Sequence, residues 1–574
     1  MVCDRYYTEG ICPERCLLMD MKLKTMLVSS LEKVFADKEP VALSGRPRIS
    51  ILKDDAAAFQ VAVFPDTEFP MARFDAEVTV ESEIADCVTV TKVDLVPVRL
   101  PAINAADGDY ISTAPGLYPD LLRPTENGVF HVMNHQWNAF WVGIETKADT
   151  AAGTYPVTVT VTLKHPWAAE QISVKNMMNV TVINAVLPKS DLKRTEWFHA
   201  DCIADYYHVE PLSEEHWKLV EEQVAMAAKR GVNMLLTPIF TPPLDTVVGG
   251  ERTTVQLMKV TVENGEYSFN FDDLGRWIDM AQSHGIEYFE MAHLYTQWGA
   301  EHCPKIMATV DGEYKKIFGW EDASNGAGYK AFLGKMLPAL TGYLESRGLK
   351  DKTVFHISDE PRVDHLPLYR EVRDQVAPYL KGWTIMDALS AYDFYRDGVC
   401  ELPVVATNHV TPFLEGERPD EFWVYYCVSQ AYQVANRFMA MPSYRNRILA
   451  QQLYKYDVKG FLQWGFNFYN SQYSLKHIDP FGNTDSDGAF PAGDPFAVYP
   501  GDDGKPWTSI RLEVFWQMQC DLRAFKLLES LTDKDFVMNL IEADGEVTFF
   551  EYPRNAEHIL TLREKVNDEI AKRV

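Results

Sequence analysis

The sequence is short of positive charge, of paired cysteines and of long apolar runs, and each shortage removes a class of function. Lysine and arginine number 55 against 82 aspartates and glutamates, a formal charge of −27. So acidic a surface repels phosphate backbones and anionic headgroups, which argues against nucleic acid and membrane surfaces as partners. The nine cysteines are odd in number and scattered, with no CxxC pair and no Cys/His ligand spacing. They read as reduced thiols, the N-terminal Cys3, Cys12 and Cys16 included, and neither a disulfide framework nor a metal site is expected. No stretch approaches the roughly 18 uninterrupted apolar residues of a membrane span. The opening residues MVCDRYYTEGICPERC lack a basic region followed by an apolar run, so no secretory signal is expected and the predicted location is cytoplasmic. GxGxxG and Walker loops are also missing, which argues against nucleotide binding.

What is present is an ordinary globular composition, 47% hydrophobic and 24% charged, over 574 residues. That length exceeds one hydrophobic core and predicts two or three domains. Residues 1–190 read as β structure. Phe59–Phe64, Cys87–Val93, Ala139–Glu145 and Tyr155–Leu163 are short, rich in β-branched and aromatic residues, and punctuated by turn formers. The run VTVTVTL alternates apolar with polar, as a half-buried antiparallel strand should, and the whole predicts a β-sandwich. The polar, proline-bearing LPKSDLKRT marks the boundary.

Beyond it, residues 191–530 alternate helical patterns with short apolar strands. Ser213 is placed to cap a helix carrying Trp217, Val220 and Val224, and Gly231 to end it. Eight strand candidates follow in series: EWFHAD, NMLLTPIF, EYFEMAHL, TVFHISDE, WTIMDAL, VVATNHV, FWVYYCV and FLQWGFNF. Such a series predicts a (β/α)8 barrel in preference to an open sheet. The expected fold class is therefore multidomain: an N-terminal β-sandwich, a (β/α)8 barrel, and a C-terminal extension, 531–574, packing on the barrel. A Gly/Pro/Asp-rich loop, 470–508, is expected over the barrel mouth.

In such a barrel the reacting groups stand at the C-terminal strand ends. Those ends offer His199, Glu290, His293, Asp359, Glu360, Asp387, Asn408, His409, Tyr425, Tyr426, Trp464 and Asn467. Carboxylates, amides and aromatic faces suit a sugar better than a phosphate, which would call for arginine and lysine. The most pointed feature is Phe355-His356-Ile357-Ser358-Asp359-Glu360-Pro361, an apolar strand running into two adjacent acids. Neighbouring carboxylates interact, so one can stay protonated near neutral pH as a general acid. The plainer alternative is a helix start with acids at the positive end of its dipole.

The stretch HISDEP resembles the catalytic motif of glycoside hydrolase family 123, the β-N-acetylgalactosaminidases. The passage GDPFAVYPGDDGKPWTSIRLE, the aromatic strand QWGFNFY and the domain order are similar too, from about residue 50 to 530. The resemblance implies a retaining exo-hydrolase, without cofactor or metal, acting on a glycan or glycolipid with terminal β-linked GalNAc. It implies substrate-assisted chemistry, in which the sugar's 2-acetamido oxygen is the nucleophile. Asp359 then orients the acetamido group, and Glu360 is the acid and later the base. His199, Glu290, Asn408, Tyr425, Trp464, Asn467 and Arg511 are the expected substrate-binding residues, though Arg511 also suits a loop anchor paired with an acid such as Asp494. Rival readings are a β-N-acetylglucosaminidase, a conventional retaining glycosidase with Glu290 or Asp387 as nucleophile, and a non-catalytic carbohydrate-binding protein.

Overall fold

The computed structural model describes residues 21–43, 48–67, 73–103, 107–125, 127–164 and 171–574; Cys3, Cys12, Cys16 and the opening segment lie outside the described residues. The N-terminal region is a sandwich of two five-stranded sheets. One runs Met21–Ser29, Ala56–Thr67, Asn138–Glu145, Val88–Val98, Gly116–Arg123; the other Arg48–Lys53, Ile172–Val186, Gly153–Lys164, Arg73–Glu81, Val129–Met133. The alternation read in VTVTVTL is realised in space. Val157, Val159, Val161 and Leu163 are buried while the threonines between them are half-buried. These valines meet Phe59, Val61, Phe74 and Phe140 in the core between the sheets.

Eight parallel strands then close a barrel: Lys193–Glu196, Met234–Thr237, Tyr288–Met291, Thr353–Phe355, Thr384–Ala388, Leu402–Ala406, Trp423–Tyr425 and Gly460–Gln463. Pairing of Lys193 with Gly460 through Glu196 with Gln463 joins the eighth strand to the first. The strands are shorter than the apolar runs suggest. EWFHAD stops being strand at Glu196, and a helix, Ala200–Tyr207, starts inside it. The helix after it, Glu214–Lys229, begins as its sequence predicts, with the Ser213 side chain accepting from the His216 N–H and Trp217, Val220 and Val224 turned inward.

Two hairpins inserted after the second and third barrel strands form an extra four-stranded sheet: Lys259–Glu263 with Glu266–Asn270, and Ile306–Val310 with Glu313–Phe318. Their turns are Asn264-Gly265 and Asp311-Gly312, with φ of 51°, 81°, 47° and 90°. Positive φ at both positions is what a two-residue hairpin turn matching strand twist requires.

Most of the 470–508 loop is buried as a wedge between barrel and sandwich. Thr484, Asp485, Asp494, Phe496 and Tyr499 are all fully buried. Asp485 accepts from Arg99 at 2.6 Å and from the Leu100 N–H at 3.0 Å, and Tyr499 donates to Asp120 at 2.6 Å. The C-terminal helix Ala556–Ala571 packs on the long helix Ile510–Leu531 and on the sandwich, where Arg563 pairs with Asp55 and Asp521. Among the described residues no helix is long and apolar enough to cross a membrane.

Candidate active site

The fourth barrel strand ends at Phe355, so Asp359 and Glu360 sit in the turn beyond it. There the alternation that would point strand neighbours apart no longer holds. Glu360 adopts φ 43° and its N–H donates to the Ala388 carbonyl at 3.0 Å, tying the turn to the end of the fifth strand. A left-handed conformation for a glutamate costs on the order of 1 kcal/mol or more, and such strain concentrates at functional sites.

The two carboxylates face different surroundings. Tyr425 donates its hydroxyl to Glu360 Oε1 at 2.6 Å, and Cys427 Sγ lies 4.0 Å from the same oxygen. Asp359 faces a charged interior. Burial first, then the charge of Glu360, hold its carboxyl well above the usual carboxylate range, while the His356 imidazolium pulls the other way. That upward shift disfavours a second negative charge beside Glu360, the kind of arrangement a general acid requires.

Beneath the pair lies a closed network. His356 bridges Glu290 Oε1 through Nε2 at 2.7 Å and Asp387 Oδ1 through Nδ1 at 3.1 Å, and all three side chains are fully buried. Burial alone would lower the His356 pKa, but the hydrogen bonds to Asp387 and Glu290 raise it to about 10, making it an imidazolium shared by two acids. Thr195 and the Trp197 indole also donate to Glu290, at 2.6 and 2.7 Å. Asp387 receives the Ile357 N–H at 3.0 Å and the Tyr369 hydroxyl. His293 stacks on His356 with centroids 4.3 Å apart; burial, and then the His356 charge, keep it neutral. The donor atoms of His293, His356 and Asp387 lie within 4.8 Å of one another, the spacing of a possible metal trio. Both His356 nitrogens are already given to carboxylates, so a cation there would have to displace the proton shared with Asp387.

The expected substrate-binding residues divide. Tyr425 reaches Glu360, whereas Tyr426 turns away to Asn446 at 3.0 Å. Trp464 is half-buried, its indole N–H on Asp494 at 3.0 Å and its ring against Phe468 and Phe490. Burial pushes the Asp494 carboxyl up to about 7. Asn408, half-buried, accepts from Gln430 at 2.7 Å and His409 at 2.8 Å. The others are occupied by protein. His199 meets the Trp464 carbonyl at 3.0 Å and Arg252 at 3.1 Å, and burial and Arg252 lower its pKa to about 3. Asn467 holds the His199 N–H at 2.8 Å and Gln223 at 2.8 Å. Glu290 is saturated within the network just described. Arg511 is the loop anchor, but its acid is Asp120 of the sandwich, gripped at 2.8 Å through both Nε and Nη2, while Nη1 binds the Gly493 and Phe496 carbonyls.

Sequence reasoning passed over Asp245, in the loop after the second strand. Its charge raises the Asp359 pKa, and burial pushes its own carboxyl up to about 6. It has no motif, and only the fold brings it near. His356 lay inside the motif, directly after the strand's last residue, and a histidine among apolar neighbours there was a readable signal.

A barrel with two adjacent acids beyond the fourth strand, lined by aromatics and amides, is the site of a glycoside hydrolase. Residues 197–528 match the model of the glycoside hydrolase 123 catalytic domain, and the chain belongs to glycoside hydrolase family 123. No curated protein matches the sequence. The fold is shared with a family 123 glycoside hydrolase from Clostridium perfringens, solved in a study of glycolipid glycan hydrolysis. Identity is 14% and the TM-score 0.69, over 96% of this chain and 98% of that one. A family 5 mannosidase from Rhizomucor miehei, 10% identical, aligns at a TM-score of 0.30 over 61% of this chain and 94% of its own, too distant to carry an argument.

Proposed function

We propose that this enzyme is a retaining exo-β-N-acetylgalactosaminidase working by substrate assistance, on terminal β-GalNAc of a glycan or glycolipid. The observation that carries the reading is the division of labour within one adjacent pair: Glu360 held by Tyr425, Asp359 set over the His356 cation. An incoming acetamido N–H donates to Asp359, which favours its ionised form and leaves Glu360 the role of acid. The acetamido oxygen attacks the anomeric carbon as the bond to the leaving oxygen breaks, and Glu360 gives that oxygen its proton. Asp359 stabilises the positive charge of the resulting oxazolinium ring. Glu360, now a carboxylate, takes a proton from water, which attacks the anomeric carbon, reopens the ring and returns the β configuration.

A conventional nucleophile is disfavoured because Glu290 and Asp387 are fully buried and each is already engaged by three donors. The preference for the galacto over the gluco sugar, and a glycolipid glycan as substrate, rest on the family resemblance and on the Clostridium perfringens relative. A panel of aryl glycosides tests the proposal. Aryl β-GalNAc should turn over and aryl β-galactoside should not; Asp359→Asn and Glu360→Gln should each lose about 10²-fold or more in kcat. Turnover of the plain galactoside, or full activity in either variant, overturns it.

A further inference from the structure

Two aromatic rings stand at the lip of the mouth, outside the enclosed part of the site. Trp298 follows the third barrel strand and Tyr473 follows the eighth; they are 41% and 37% exposed. Their rings meet edge to face, centroids 5.7 Å apart and planes at 82°. Both backbones are left-handed, with φ of 58° and 59°. Each is also fastened to an acid of the site. The Trp298 N–H donates to the Asp359 carbonyl at 2.8 Å, and the Tyr473 N–H to Asp245 Oδ2 at 3.0 Å. The Val247 N–H further binds the Tyr473 carbonyl at 3.0 Å, joining the loops of the second and eighth strands under the rings.

Exposing an indole costs apolar burial, and holding two aromatic residues in left-handed backbone costs on the order of 1 kcal/mol or more each. Neither cost is recovered by core packing. By contrast, the groups flanking Glu360 are enclosed, Tyr425 at 4% and Cys427 at 7% exposure. A single sugar ring gripped by Asp359 and Glu360 occupies that enclosed part, and what projects past it meets the lip. We propose that Trp298 and Tyr473 form a stacking platform for the second pyranose of the substrate, the one that leaves. An aromatic face presents a flat apolar surface to the C–H face of a pyranose and needs no charged partner. The platform makes the enzyme selective for a saccharide leaving group over a small one.

The inference rests on the proposed activity, and its test separates the two. The wild type is assayed on 2-acetamido-2-deoxy-β-galactosyl fluoride, which has no leaving-group ring, and on a disaccharide of β-GalNAc linked to a second pyranose. Absence of fluoride turnover by the wild type would sink the activity itself and the platform with it. Given turnover, the quantity read is kcat/KM on the disaccharide divided by kcat/KM on the fluoride. Asparagine tolerates left-handed backbone, so Trp298→Asn and Tyr473→Asn remove the rings with little strain. Each should lower the ratio, Trp298→Asn by about tenfold, and Trp298→Phe should restore part of it. An unchanged ratio in both asparagine variants, including equal losses on both substrates, overturns the proposal.

Discussion

Replacing His356 by phenylalanine keeps a ring of similar size and removes both hydrogen-bond donors from between Glu290 and Asp387. Both acids are fully buried, so each loses the cation it shares. Removing one partner of a buried ion pair costs about 3–5 kcal/mol. Glu290 keeps Thr195 and Trp197, and Asp387 keeps Ile357 and Tyr369, which places the expected loss toward the lower end. That corresponds to an apparent Tm lower by roughly 2–3 °C for a chain of this size. The sign with pH follows from a histidine raised from 6.5 to about 10. Its contribution is complete below about pH 6.5 and is lost as pH climbs from there through about 10, so wild type and variant should differ most near pH 6 and converge above about pH 10. Catalysis supplies the second readout. His356 is a positioning residue, and its cation draws the Asp359 carboxyl downward. Without it the acid limb of the kcat/KM profile should move to higher pH. Thermal unfolding across pH and a pH–rate profile measure both effects. A variant with the wild-type Tm and an unmoved acid limb would refute the assignment of a charged, shared imidazolium.

Tyr425→Phe deletes one hydroxyl, the 2.6 Å donor to Glu360. A hydrogen bond to a charged group is worth about 1.5–3 kcal/mol, so kcat/KM should fall by roughly ten- to a hundredfold with the fold intact by circular dichroism. Tyr426→Phe, pointing to Asn446, should leave kcat/KM within about twofold. Asp120→Ala strips Arg511 of the acid it grips in a buried pair and should destabilise by about 3–5 kcal/mol. Limited proteolysis should then cut first within 470–508, and equal resistance in the two proteins would count against the anchor.

Periodicity carried the architecture because it reports burial, and burial is what builds both layers. The threonine–valine alternation and the strand–glycine–helix cycles each translate directly into a sheet or barrel element. Strand ends were harder, since EWFHAD is apolar enough to be strand throughout, yet a helix begins within it. The inserted sheet was readable in hindsight from ENGE and VDGE between β-branched runs, a short-range hairpin signal independent of the barrel pattern. Asp359, Glu360 and Tyr425 stood out in the sequence because motif and strand end coincide, and the structure brings the three together. Asp245, Trp298 and Tyr473 were not, because loops bring them to the mouth and their backbone turns left-handed without glycine. His199 and Asn467 are held by protein groups, and Arg511 is the loop anchor its sequence allowed but on Asp120 rather than Asp494, because polar residues near a barrel mouth also serve to satisfy buried loop backbone.

The grip of Asp120 on Arg511 bears on how this enzyme is to be dissected. The acid is contributed by a sandwich strand, the base by the start of the Ile510–Leu531 helix, and the same guanidinium fastens Gly493 and Phe496 on either side of Asp494, which holds Trp464. Cutting the barrel free, or grafting it onto a foreign partner, would strand a buried cation and loosen one wall of the pocket. Heredity and engineering alike must move the two halves together.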